Sequence, residues 1–390
     1  MLRDTWAEIN LNHIRGNLIQ IRETLSNHVK LMAVVKADGY GHGDLESAQM
    51  AEQAGADVLA VAYLEEALRL RSYGITLPIL ILTPIHAEYV HLAIEHDLML
   101  TVINASWFKE MRKYKPSSSA KKLLIHVKVD TGLGRIGIQS QKEWDELVPW
   151  LTAADIVVDG FYTHFATAGK ADTTFLELQT NRFMEMMDWS KKSGLYIRHY
   201  HCAGSAAALR FPKLAMDMVR IGAAMYGFYP EKLVHSVKLE PVLSLHSKLM
   251  QIKKLNKGEY LGYDNSYQAD EEQWIGTVPI GYADGWSQGM QNTEVLVNGQ
   301  RAKVVGKICM DQLMVKLPGP CAEGTQVTLI GRQGEEEITF AELASHIGSV
   351  SQEISTSLTA RVTRKYKDVE EAWTHWGKRT KQKPFKKAVM

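Results

Sequence analysis

In five places the sequence sets a cation, a hydroxyl or a glycine-rich turn directly after an apolar run. Lys36 closes "LMAVVK" and is followed by "ADGYGHGD", which carries Tyr40, His42 and three glycines. Lys128, Asp130 and Arg135 stand in "VKVDTGLGRIG", His164 in "YTHFATA", Ser205 in "HCAGSAA", and Arg220, Gly222 and Ala223 in "MVRIGAAMYG". An amine, two guanidiniums and an imidazole can bind an anion and move a proton. Turns of small residues such as "GSAA" and "RIGAA" let backbone N–H groups approach a phosphate closely. Each feature alone has a plain structural reading, such as a lysine stem snorkelling to solvent. Packing alone does not explain why so many of them follow strand-like runs.

The runs that must position these residues are "LMAVVKA" (31–37), "DVLAVAY" (57–63), "LPILILT" (77–83) and "LMLTVIN" (98–104), then "KLLIHVKVD" (122–130), "IVVDGFYTHFA" (156–166), "YIRHYHCAG" (196–204) and "MVRIGAAMYGF" (218–228). Between them lie segments of helical periodicity, such as "LESAQMAEQAG" and "YLEEALRLRSYG", each ended by a glycine at a C-cap position. Strands alternating with helices pair in parallel, and eight such units predict a closed (β/α)8 barrel over residues 1–238. An open doubly wound sheet is the alternative. Loops that follow barrel strands form the active face, so the residues above belong to one rim. A phosphate cradle facing a lysine at a barrel mouth suggests pyridoxal 5'-phosphate, with Lys36 forming the Schiff base.

From 239 to 390 the pattern is mainly β. "LHSKLMQIKKL", "QWIGTVPIGYA", "TEVLVNGQRAKVVGKICMDQLMVKL" and "TQVTLIG" read as strands, and "VNGQ" is an Asn-Gly hairpin signal. Only "TFAELASHIG" reads there as helical, with Thr339 as N-cap and Glu342 three residues on. Lys378, Arg379, Lys381, Lys383, Lys386 and Lys387 form an unperiodic basic tail, expected to be solvated.

Composition limits the classes of function. The 390 residues are 45% hydrophobic and 23% charged, as in a globular protein, and a net charge of +1 gives no field that would favour nucleic acid or an anionic membrane. No apolar run approaches the ~18–20 residues of a membrane-spanning helix, and the N-terminus lacks the apolar core of a signal peptide, so a cytoplasmic protein is expected. Cys202, Cys309 and Cys321 have no CxxC spacing, which argues against a disulfide frame or a metal site.

"AVVKADGYGHG" resembles the cofactor-attachment motif of the alanine racemases. "VDTGLGRIG", "YTHFATA", "HCAGSAA", "MVRIGAAMYG", "GYADGW" and "GKICMDQ" are similar to further blocks of that family, in the family's order. The resemblance implies an N-terminal barrel, a C-terminal β domain and a homodimer whose active sites each draw on both subunits. It implies racemisation of alanine, supplying D-alanine for peptidoglycan, by two bases, Lys36 and Tyr263 of the partner subunit. Tyr40, Ser205, Gly222 and Ala223 would hold the phosphate, and Arg220 would face the pyridine nitrogen. Arg135 would bridge the cofactor and the substrate carboxylate, steadied by a carbamylated Lys128. His164 would hydrogen-bond Tyr263, while Tyr282 and Met310 would line the route of the substrate. Cys309 has no base indicated for it and reads as packing beside Met310.

Three positions depart from the family's pattern. Gly204 stands where asparagine is usual, Asp264 where glycine is usual, and Gln352, in "VSQEIST", where a tyrosine usually reaches the phosphate. They leave both proposed bases in place and bear on substrate range, serine being the first alternative to alanine. A decarboxylase of the same layout would be expected to carry an acid where this chain has Arg220. A non-enzymatic carrier of pyridoxal phosphate would not need the β domain that bears Tyr263.

Overall fold

All eight apolar runs form strands in the computed structural model, which describes residues 3–115, 121–229 and 237–367; the basic tail lies outside the described residues. After β1 (Thr5–Asn10) they are β2 (Lys30–Val34), β3 (Val58–Val61), β4 (Ile79–Ile81), β5 (Leu98–Val102), β6 (Leu123–Lys128), β7 (Ile156–Tyr162), β8 (His199–His201) and β9 (Met218–Ile221). The eight strands β2 to β9 pair in parallel in the order β8-β7-β6-β5-β4-β3-β2-β9. A single parallel bridge, Gly204↔Arg220, links the segments that follow β8 and form β9, and so closes the barrel. Residues of β3, β4 and β5 are buried throughout, which is why these strands read as unbroken apolar runs instead of alternating ones. The helices Asp44–Gln53 and Leu64–Ser72 end before Gly55 and Gly74, both at positive φ.

The mainly β part holds β10 (Leu243–Lys248), β11 (Gln251–Leu255), β12 (Tyr260–Leu261), β13 (Tyr267–Gln268), β14 (Gln273–Val278) and β15 (Glu294–Val297). It continues with β16 (Gln300–Val305), β17 (Leu313–Lys316), β18 (Gln326–Gln333), β19 (Glu336–Ile338) and β20 (Thr363–Lys367). One sheet runs β11-β14-β17-β16-β15-β18-β10-β1-β20, with β19 on β18, while β12 and β13 pair separately. Asn298 and Gly299, at φ 52° and 75°, form the two-residue turn between β15 and β16, as the Asn-Gly pair predicts. Thr339 caps Phe340–His346 by accepting the Glu342 amide at 3.0 Å.

Three sequence expectations are corrected. β1 belongs to the β sheet, with Thr5 opposite Ser247 on β10 and Trp6 opposite Thr363 on β20. Among the described residues, one compact unit comprises residues 3–12, 40–43 and 241–367, and the other residues 13–39, 44–115, 121–229 and 237–240. The run "LHSKLMQIKKL" is broken into β10 and β11, which pair with different strands. "SQEISTS" forms a second helix, Ser351–Ser357, in spite of its Ser/Thr content, because Ile354 and Ser355 are buried. Among the described residues no helix is long and apolar enough to cross a membrane.

Candidate active site

Lys36 follows β2 directly and opens a turn in which Ala37, Asp38, Gly39 and Tyr40 all have φ between 53° and 58°. Such a run of left-handed residues is costly for L-amino acids, roughly 1–2 kcal/mol each, and needs outside support. Glu66 provides part of it: its carboxylate accepts the Ala37 amide at 2.7 Å and the Ala62 amide at 2.7 Å. Asp38 accepts the Asp44 amide at 3.2 Å, and the Gly39 amide donates to Val35 O at 3.0 Å. Burial, and then the charge of Arg135, push the Lys36 ammonium below its ordinary pKa, against a smaller pull from Glu66. A lysine held this way is unprotonated more often near neutral pH than a solvated one, and so is more available as a base and nucleophile.

Arg220 on β9 is 5% exposed and held on several sides. Its Nη1 donates to His201 Nδ1 at 2.8 Å and to His201 O at 3.3 Å, and its Nη2 to Thr163 O at 2.7 Å, His164 Nδ1 at 3.0 Å and Cys202 O at 3.2 Å. Nε is the one guanidinium nitrogen without a hydrogen bond among the described residues. Burial and then the Arg220 charge push His164 well below its ordinary pKa, so the imidazole is neutral. Since Nδ1 accepts from arginine, the ring hydrogen is on Nε2 and remains available for donation. The Lys128 ammonium lies 4.6 Å from the centre of the Tyr162 ring and Arg220 lies 5.2 Å from it. Asp130 shapes the loop that carries Arg135, accepting the amides of Gly132 at 3.0 Å, Gly134 at 3.1 Å and Arg135 at 3.1 Å.

Burial, then Arg220 and Arg135, lower the Lys128 pKa to about 7. An unfolded lysine keeps its proton to about pH 10, so between about 7 and 10 the unfolded chain binds more protons and stability rises with pH. Below about 7 both states are charged and the rise is absent. In carbon dioxide-free buffer, unfolding free energies should gain up to ~1.4 kcal/mol per pH unit from Lys128 in that window. Lys128→Met should flatten the rise; an unchanged pH dependence would show that the amine is solvated.

Ser205 Oγ accepts the amides of Gly222 at 3.0 Å and Ala224 at 3.3 Å, tying the start of helix Ser205–Arg210 to the turn Ala223–Tyr226. The Ala223 amide between them makes no hydrogen bond among the described residues. The donors left over, Arg220 Nε and the Ala223 amide, together with the Lys36 amine, are the chemical set that a pyridoxal phosphate requires for its ring nitrogen, phosphate and carbonyl carbon. At Gly204 a Cβ would lie 3.0 Å from His164 Cε1, so a larger residue there would need that ring to give way slightly.

In the β unit, Tyr263 is 68% exposed in the short turn Tyr263–Asn265, and Met310 is 53% exposed. Both line an open groove of about 900 Å³ with Cys309, Asp311, Gln312 and Met314. Asp264 has φ 56°, the reason a glycine would suit the position, and its carboxylate pairs with Lys307. Tyr282, 42% exposed, is placed beside this loop by backbone bonds from its amide to Cys309 O at 3.1 Å and from Ala283 to Met310 O at 3.0 Å. Burial raises the Cys309 thiol pKa, in keeping with packing. Tyr40 is also counted in this unit, with its phenol pushed up to about 12 by burial, and His42 Nδ1 lies 2.9 Å from Tyr40 O. A Cβ on Gly41 would lie 2.1 Å from Ser355 O, so the helix that carries Gln352 packs against the Tyr40–Gly43 segment.

The chain thus brings the cations Lys36, Lys128, Arg135 and Arg220 together around the neutral His164, and each charge acts on its neighbours. Sequence reasoning missed Tyr162 and His201, which contact Arg220, and His126 and Asp159, which follow His201 in a chain of side-chain contacts. The only signal was a histidine within each apolar strand run, "LLIHVKVD" and "RHYHCAG".

Models of the N-terminal and C-terminal domains of alanine racemase match residues 9–230 and 242–366. The chain is 45% identical to the alanine racemase of Geobacillus kaustophilus, over 93% of this chain and 94% of that protein. It is 38% identical to alanine racemase 2 of Bacillus subtilis, over 94% and 95%. A crystal structure of alanine racemase from Bacillus anthracis with bound L-Ala-P has a TM-score of 0.91 and 44% identity, covering 94% of this chain and 95% of that one. A histidine racemase from Leuconostoc mesenteroides has a TM-score of 0.86 and 30% identity, covering 94% and 98%.

Proposed function

Because the chain belongs to the alanine racemase family, we propose that it interconverts L- and D-alanine with pyridoxal phosphate bound at the barrel end, using Lys36 and Tyr263 of the partner subunit as the two proton carriers. The observation that carries this reading is the pairing of a lysine with a lowered pKa after β2 and a pinned arginine on the adjacent β9 whose Nε is left over. When bound, pyridoxal phosphate supplies the electron sink that makes the α-hydrogen of an amino acid acidic. Arg220 would donate through Nε to the ring nitrogen. An arginine does not release its proton, so electron withdrawal stays moderate and side reactions are limited.

Ser205, Gly222, Ala223 and Tyr40 would hold the phosphate, and Arg135 the carboxylate of the amino acid. Lys128, with its pKa lowered to about 7, has a substantial neutral fraction near neutral pH, and that form adds carbon dioxide, making an N–C bond and releasing a proton. The resulting carbamate would balance the charges of Arg135 and Arg220. Racemisation needs a proton removed from one face of Cα and returned to the other. Lys36 would serve one face, and Tyr263, exposed on its own β unit, would serve the other in a homodimer. His164 Nε2–H would donate to the Tyr263 oxygen and stabilise its deprotonated form. Tyr282 and Met310 would line the access route. D-alanine made this way would supply cell-wall peptidoglycan.

The histidine racemase of similar fold makes side-chain specificity a separate question. Gln352 favours a second reading, in which serine is also turned over, because its helix packs on the segment that bears Tyr40 and its amide can meet a hydroxyl. Apolar pockets reject an added hydroxyl by only about 10². Loss of optical rotation from L-alanine and from L-serine gives kcat/KM for each. Alanine is expected to be the better substrate, and Gln352→Tyr should raise the alanine-to-serine ratio severalfold, up to about 10². Failure to racemise alanine overturns the first reading, and an unmoved ratio removes Gln352 from the second.

A further inference from the structure

We propose that Asp159 is a positioning residue for Arg220: acting through His126 and His201, it fixes the ring tautomers that keep the guanidinium in its pose with Nε left over. The inference rests on the role proposed above for Arg220. His126 Nε2 lies 3.3 Å from Asp159 Oδ2, His126 Nδ1 lies 2.9 Å from His201 Nε2, and His201 Nδ1 lies 2.8 Å from Arg220 Nη1. Arginine can only donate, so His201 Nδ1 accepts and its hydrogen is on Nε2. That hydrogen is donated to His126 Nδ1, which places the hydrogen of His126 on Nε2, facing an oxygen of Asp159. One pattern satisfies all three contacts. With the opposite tautomers, a ring N–H would point at an arginine N–H, between side chains that are fully buried.

The fold is built around this chain of bonds. The register of β6 with β7 passes from Ile125↔Val158 to His126↔Gly160, so Asp159 is the extra residue of a β-bulge. Bulges re-aim side chains near active sites. Gly160 leaves the space for the ring, since a Cβ there would lie 2.1 Å from His126 Nδ1. His201 stacks on Tyr162 at 4.8 Å and 2°. Burial keeps both histidines below their ordinary pKa, hence neutral. Asp159 also pairs with Arg198 Nη1 at 3.0 Å, and His199 Nδ1 lies 3.6 Å from its Oδ2. A purely structural role would run through that half-exposed arginine.

The test uses the full-length holoenzyme labelled with ¹⁵N in its histidine rings. Wild-type protein should show Nε2–H tautomers at His126 and His201. Asp159→Leu should populate Nδ1–H at His201, shift the visible absorbance of the bound cofactor and lower kcat at least about tenfold with little change in KM, on the scale seen when a supporting partner of a site residue is lost. Asp159→Asn, whose Oδ1 still accepts, should keep the tautomers and most of kcat, and Arg198→Gln should leave both unchanged. Nδ1–H at either histidine in the wild type overturns the proposal, even if Asp159→Leu does not fold. So does Arg198→Gln reproducing the effects of Asp159→Leu. The tautomers are read independently of turnover, so a protein with the expected tautomers that does not racemise alanine refutes the substrate reading alone.

Discussion

Lys36→Ala should yield a folded protein without the visible absorbance of lysine-linked pyridoxal phosphate and without racemase activity. On the function proposed above, the substitution would remove both the covalent anchor of the cofactor and a proton carrier. General acid–base catalysis alone is worth about 10²–10⁴-fold, so a loss of at least about 10³ is expected. No other lysine among the described residues joins a position directly after a barrel strand to a turn of left-handed residues, so none is placed to substitute. Ala37 and Gly39 make their supporting bonds through backbone amides, so the turn should survive truncation of the lysine. Activity remaining at about a tenth of wild type would rule Lys36 out as the essential base, since that is a smaller loss than one general base accounts for.

The second large effect concerns Tyr263. Tyr263→Phe should retain the cofactor spectrum and lose racemisation by about 10²–10⁴-fold, because on the proposed mechanism one face of Cα would be left without a proton carrier. Exchange of the α-hydrogen with solvent should persist for the enantiomer that Lys36 serves, since removal and return on one face need no second group. If both exchange and the spectrum are lost, Tyr263 is structural. Mixing Lys36→Ala chains with Tyr263→Phe chains then tests sharing between subunits. In a heterodimer with shared sites, one site combines both substitutions and the other contains neither. Random pairing in a two-fold dimer should restore about a quarter of the wild-type sites. If subunit exchange is verified and activity stays at the level of the parents, each site is built from a single chain.

The barrel was legible in the sequence because its strands are covered on both faces. Burial throughout β3, β4 and β5 writes itself as an apolar run, and the residues at the run ends, Lys36, His164, Ser205 and Arg220, then follow from topology. β1 and β20 were not legible. Each is a short strand whose partner lies hundreds of residues away, as in Trp6↔Thr363, and no local pattern encodes that distance. Helix Ser351–Ser357 was hidden because its residues favour turns, and tertiary burial of Ile354 outweighs that preference. His126 and His201 were hidden for a different reason. A histidine in an apolar strand signals only that it is buried, and its partners come from neighbouring strands. The left-handed turn escaped prediction because "ADGY" contains one glycine, whereas four residues adopt the conformation.

That turn has a stereochemical consequence. A backbone with φ near +55° over four residues is the mirror image of an ordinary helical turn, and it is the conformation that D-residues prefer. Three L-residues, Ala37, Asp38 and Tyr40, adopt it against their own chirality, and the segment is held by bonds of Ala37 with Glu66, Gly39 with Val35 and Asp38 with Asp44. In a semisynthetic chain, D-alanine at position 37 would fit without that opposition and relieve roughly 1–2 kcal/mol. A protein of a family that inverts the α-carbon of its substrate thus carries, next to its own lysine, a segment whose fold would suit the product's hand better than the hand from which it is made.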